Sequence, residues 1–153
     1  MSRLATSFVL GYHGCDKDVG LRAINGDSAL IQSDKAFDWL GPGTYFWESD
    51  PGRALEWAQS KAGRGEYREP YVIGAVIDLG NCLDLVSRED LELLGDAYTS
   101  FSEMHRLSGA AMPRNRDTRS DPNGDLLLRY LDCAVIRHLH GMMEAQGADP
   151  HRR

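Results

Sequence analysis

The longest apolar run in the chain, YVIGAVIDLG at residues 71–80, is bounded by turn residues. It is far shorter than the roughly 20 residues a membrane helix needs. Its β-branched content and lack of strict polar alternation predict a central strand buried on both faces. Such a strand needs neighbours, and three segments qualify: SFVLGYHG (7–14), SALIQS (28–33) and GTYFWE (43–48).

Helices are expected between and after these strands. KDVGLRAING (17–26) closes on Asn25-Gly26, a helix stop. In SDPGRALEWAQSKA, Asp50 is placed as N-cap and Pro51 at the first helical position, where the missing N–H costs nothing. Leu55, Ala58 and Ala62 then share a face. Ser87, with Asp90 three residues on, starts a short helix over REDLELLG, and residues 98–108 read as a second helix. A long helix is predicted over 125–147 from the spacing of Leu127, Leu131, Ala134, Val135, His138 and Met142. Strands and helices in this order predict an α+β fold rather than an alternating parallel one.

At 153 residues the chain has the length of one domain with one site. A net charge of −6 opposes a protein whose whole surface grips nucleic acid, although a local basic loop can still do so. The segment 109–124, with Arg114, Arg116 and Arg119, is such a loop, and it also reads as a solvated linker. Cys15, Cys82 and Cys133 are widely spaced without a C-x-x-C pair, so neither a disulfide framework nor a metal site is expected. His138 and His140 diverge by about 200° on a helix, a poor metal pair. The N-terminus lacks the apolar core of a secretory signal, which suggests the cytoplasm or an export route without one, and no membrane association. No dinucleotide or P-loop glycine pattern occurs.

Two stretches remain: Tyr-His-Gly at 12–14 and GPGTYFWE at 41–48, about thirty residues apart. A strand ending in Tyr-His-Gly, then Gly-x-Gly-x-Tyr-Phe and a helix bearing a further aromatic, resembles the ADP-ribosyltransferase superfamily. The pattern resembles its diphtheria-toxin and poly-ADP-ribose-polymerase branch, named for a His-Tyr-Glu triad. The likeness covers about residues 7–80. It implies a split β-sheet core with flanking helices and a slot for NAD as substrate. In that slot His13 bonds the adenosine-side ribose, and Gly14 offers main-chain groups to the nicotinamide carboxamide. A glycine suits that task because a planar amide can approach its backbone closely. Tyr45 would stack on the nicotinamide ring, and Trp57, one position from the pattern, would close the other side.

The same residues have plain structural readings. His13 can be a strand-end histidine satisfied by backbone. Phe46 is assigned to the core, Trp47 is left open between core and site, and Trp57 can be core filler. The superfamily's third element, a late acidic residue that bonds the ribose 2′-OH and stabilises the cation as nicotinamide leaves, has no counterpart, and no strand follows the last helix. Glu48, Asp132 and Glu144 do not match its position, so no catalytic residue is assigned. The last strands are expected to be lacking through truncation, to be replaced by a partner chain that completes the sheet, or to be compensated by an acid elsewhere. The resemblance implies transfer of ADP-ribose from NAD to a protein or nucleic-acid acceptor, as in bacterial toxins and defence effectors. The alternative is a catalytically silent module that holds NAD or ADP-ribose or docks a partner on an open sheet edge.

Overall fold

The computed structural model describes residues 7–119 and 124–148, with three strands and four helices among them. The chain divides into two compact units, Met1–Gln32 with Thr44–Gly80, and Ser33–Gly43 with Asn81–Arg153. The architecture is α+β, with one small antiparallel sheet. Among the described residues no helix is long and apolar enough to cross a membrane.

The first unit is built on β1 (Phe8–Asp16), which lies between β2 (Trp47–Glu48) and β3 (Pro70–Asp78). β3 pairs with β1 along its whole length, from Phe8 opposite Asp78 to Asp16 opposite Pro70. At the two ends of that ladder Leu79 N donates to Ser7 O and Lys17 N donates to Glu69 O. In an antiparallel pair the bonded positions alternate. Odd-numbered residues of both strands therefore direct their N–H and C=O groups at each other, and even-numbered ones direct theirs outward. On β1 the outward side meets β2, where Ser49 N donates to Leu10 O. On β3 the outward side, carrying Val72, Gly74, Val76 and Asp78, is paired with no described strand.

Helix α1 (Lys17–Ile24) covers one face of the sheet and α2 (Pro51–Gly63) the other. Asp16 caps α1 by accepting from Asp18 N, and its second oxygen accepts from Arg68 N and Glu69 N, fastening the turn that leads into β3. These bonds hold its carboxyl below the usual range, the bond from the Arg68 amide contributing most. Asp50 caps α2 through Arg53 N, with Pro51 opening the helix as expected. The buried face of α2 is Ala54, Ala58 and Lys61; Leu55 is 39 % exposed, so the expected stripe is rotated by one position. The reason is Gly14. A Cβ there would lie 2.2 Å from Ala54 O, so helix and strand touch backbone to backbone through small residues.

In the second unit α3 (Arg88–Ser108) runs without a break through Gly95, where two helices were expected. Ser87 Oγ accepts from Asp90 N at its start, and Gly109 at φ 69° ends it. It packs on α4 (Tyr130–Ala145) around Leu83, Ala97, Phe101, Val135 and Leu139. α4 begins five residues later than its periodicity suggests, because Arg116 and Leu128 form a backbone bridge first. Arg129, at the cap position, has no capping side-chain bond. Instead Asn115 Oδ1 accepts from Leu131 N at 2.9 Å and Asp132 N at 3.4 Å, so the arginine-bearing loop caps the helix. Residues 120–123 of that loop lie outside the described residues.

Three further expectations are corrected. SALIQS contributes only an isolated bridge from Ser33 to Gly43, and GTYFWE pairs only at Trp47 and Glu48. The 71–80 run is not central. No described strand lies beyond β3, and its exposure alternates from Gly74 to Asp78, with Val76 70 % exposed, because the face carrying the even-numbered residues is left uncovered there.

Gly14→Ala should destabilise the protein by about 1–3 kcal/mol, since its methyl group meets backbone that must shift. Urea unfolding of the variant against the wild type measures this, and an unchanged midpoint contradicts the close contact.

Candidate functional site

The pairing of β1 with β2 sets Tyr12 opposite Trp47, so continuing it would set Gly14 opposite Tyr45. The pairing stops short of that. Instead His13 Nδ1 donates to Tyr45 O at 2.7 Å, so a side chain takes the carbonyl that a strand amide would have used. A carbonyl only accepts, so Nδ1 carries a proton, and in the neutral ring Nε2 is then the acceptor. Gly14, an even-numbered residue of β1, directs its main-chain groups toward the side where β2 has ended, away from β3.

His13 pairs with Ile73 and emerges on the face covered by α1, since a Cβ on Gly20 of that helix would lie 3.1 Å from Ile73 Cγ2. Phe46 reaches the same face, its ring tilted on His13 with centroids 5.4 Å apart and its Cβ close to Gly11. Trp47 and Trp57 meet on the opposite face, centroids 5.8 Å apart. The structure thus joins His13 to the main chain of Tyr45 and joins Trp57 to Trp47. A ligand touching both His13 and Trp57 has to cross the short outer strand β2.

Sequence reasoning did not find the charged group beside Trp57. Lys61 Nζ lies 5.2 Å from the Trp57 ring centroid and donates to Glu66 Oε2 at 2.6 Å, while Arg64 Nε donates to Glu66 Oε1 at 2.7 Å. Lys61 is 9 % exposed, so its ammonium is held over the indole by one carboxylate. The spacing of Trp57 and Lys61 at i, i+4 on a predicted helix was the available signal; the return of Glu66 from the following turn was not visible. The bonds from Lys61 and then Arg64 hold the Glu66 carboxyl at about 2, against an ordinary value of 4.5.

In the second unit a cavity of about 590 Å³ is lined by Trp39, Leu94, Tyr98, Arg129, Val135 and Ile136, among others. None of His13, Gly14, Tyr45 and Trp57 lines it. The Arg129 guanidinium stacks on Trp39 at 4.9 Å. Of the loop arginines, Arg116 lies over the Tyr130 ring at 5.7 Å. His138 Nε2 shares a hydrogen bond with Ser100 Oγ at 3.0 Å and packs on Phe101, a structural role. Cys15 is buried, and burial followed by the nearby Asp16 charge raises its thiol above the ordinary range. Comparison with protein families, with curated proteins and with solved structures finds no match to this chain.

A carboxyl whose folded value is depressed contributes stability that is present above its unfolded value and lost as pH falls through the folded one. For Glu66 that window runs from 4.5 down to about 2. Glu66→Gln should be less stable than the wild type at neutral pH, with the gap closing across that window. Chemical denaturation at a series of pH values reads this directly, and a gap independent of pH contradicts it.

Proposed function

We propose that this chain is an NAD-dependent ADP-ribosyltransferase, or the NAD-binding part of one, with an ADP-ribosyltransferase-like fold. The observation that carries the reading is the 2.7 Å bond from His13 Nδ1 to Tyr45 O. It ties the Tyr-His-Gly strand end to the GPGTYF segment, two stretches about thirty residues apart whose only common role in the resemblance is to hold one dinucleotide. It also leaves Nε2 as an acceptor for a ribose hydroxyl. The outward main chain of Gly14 at the end of β2 supplies a donor and an acceptor of the kind a carboxamide needs. Tyr45 supplies an aromatic face for the nicotinamide ring. Trp57 contributes only if NAD displaces or shares its ring with Lys61 and Trp47, so it is the weakest member of the set.

In the reaction the bond between ribose C1′ and the nicotinamide nitrogen breaks, and its electron pair leaves with nicotinamide. A nucleophile of a protein or nucleic-acid acceptor bonds to C1′ and loses its proton. A carboxylate at the ribose 2′-OH would stabilise the cationic transition state. Glu48 is exposed on β2, and Asp132 is bonded to Asn115 at the start of α4, so neither is given that role. A toxin or defence effector acting in the cytoplasm is the biological setting this chemistry suggests.

The second reading is a module that binds NAD or ADP-ribose without turnover, favoured by the lack of an assigned acid. Release of nicotinamide from NAD separates the two: sustained release marks an enzyme, and binding without release marks the silent module. In either case Tyr45→Ala should weaken NAD binding by about 1–3 kcal/mol with the fold intact, and His13→Ala should weaken it as well. Isothermal titration calorimetry measures both, and two variants with wild-type affinity would remove NAD from this site.

A further inference from the structure

The cavity of the second unit takes no part in the NAD site, and its wall is chemically lopsided. Its lining is largely aliphatic, from Leu85, Leu91, Leu94, Leu131, Val135 and Ile136. Its volume of about 590 Å³ falls within the range of about 300–1,000 Å³ usual for small-molecule sites. Trp39, 51 % exposed, and Leu91, 48 % exposed, keep it open to solvent.

The charged groups of the wall are Arg129 and Asp132, and their bonding is uneven. Asp132 has both oxygens engaged, Oδ1 accepting from Asn115 Nδ2 at 2.8 Å and Oδ2 from Arg129 Nη1 at 3.4 Å. Arg129 has five N–H donors to place. Besides the long bond to Asp132 it makes one from Nη2 to Asp125 O at 2.8 Å, and its guanidinium lies on the Trp39 ring. That ring is itself fixed, since Trp39 Nε1 donates to Leu127 O at 3.1 Å. Arg129 Nε is buried and finds no partner among the described residues. A buried donor without an acceptor is costly, so this wall is short of an acceptor and not of a donor.

We propose that the cavity binds an aliphatic monocarboxylate, its chain along the leucines and its carboxylate on the Arg129 guanidinium. A guanidinium matches a carboxylate with two parallel hydrogen bonds, and the 3.4 Å bond to Asp132 is long enough to yield to a better acceptor. An amine would meet Arg129 as a like charge and Asp132 as an acid already bonded to Asn115. The chain is assigned as aliphatic because the saturated side chains dominate the lining and Arg129 already lies over the Trp39 ring. The proposal does not depend on NAD binding, since none of His13, Gly14, Tyr45 and Trp57 lines the cavity.

Titration with octanoate, octanol and octylamine, followed by calorimetry and by the NMR signal of the Arg129 Nε–H, tests this. Octanoate should bind about tenfold more tightly than octanol or octylamine and should move the Arg129 signal. Arg129→Gln should bring octanoate down to the affinity of octanol with an unchanged circular dichroism spectrum. Gly95 lines the cavity from α3, and a Cβ there meets nothing within 4 Å. Gly95→Leu should therefore fill the space and abolish binding of octanoate and octanol while the helix is kept. Tyr45→Ala should bind octanoate like the wild type, which separates this result from the NAD reading. Absence of octanoate binding at millimolar concentration overturns the proposal, as does equal affinity for octanoate and octanol. So does a Gly95→Leu variant that binds octanoate like the wild type. A wild type that self-associates where Gly95→Leu does not would assign the cavity to a second copy and overturn it too.

Discussion

One substitution of bonding partners organises the candidate site. β1 and β2 begin an antiparallel ladder that, carried on, would bond Gly14 to Tyr45. The His13 imidazole intervenes, taking the Tyr45 carbonyl for its Nδ1 proton. The ladder ends there, and its end is what leaves Gly14's main chain directed at a side without a described strand. An interrupted sheet of this kind leaves polar main-chain groups that would be costly to bury unpaired, so a hydrogen-bonding ligand suits the position.

Packing fixes this arrangement from behind. Gly14 holds α2 at backbone contact through Ala54 and Ala58, while Gly20 lets α1 settle against Cys15, Tyr71 and Ile73 on the other face. The same glycine that the resemblance assigns to ligand binding is therefore required by the helix above it. Any residue larger than glycine at position 14 acts on both at once, so stability and binding have to be measured separately for substitutions there.

Much of this was legible in the sequence where the signal is local. Asp50-Pro51 opened α2 and Ser87 opened α3, because caps act within one turn. The α+β class followed from element order. What failed depended on partners distant in sequence. The place of 71–80 in the sheet and its burial could not be judged without knowing that β3 has a described neighbour on one side only and that one of its faces is left uncovered from Gly74 to Asp78. The start of α4 was set by Asn115, sixteen residues before Leu131. His13, Gly14 and Tyr45 were picked out by motif, but the bond joining His13 to a carbonyl 32 residues away has no local signature. Trp57 was likewise found by spacing, whereas its engagement with Lys61 and Trp47 follows only from the packed helix.

The central claim is that His13 is locked by its Nδ1 proton with Nε2 turned to a dinucleotide. Nitrogen-15 NMR of the His13 ring tests it most directly. The account predicts an Nδ1-protonated tautomer in the free protein and a moving Nε2 resonance as NAD is titrated in. A ring protonated on Nε2, or an Nε2 resonance that stays fixed at saturating NAD, would contradict it.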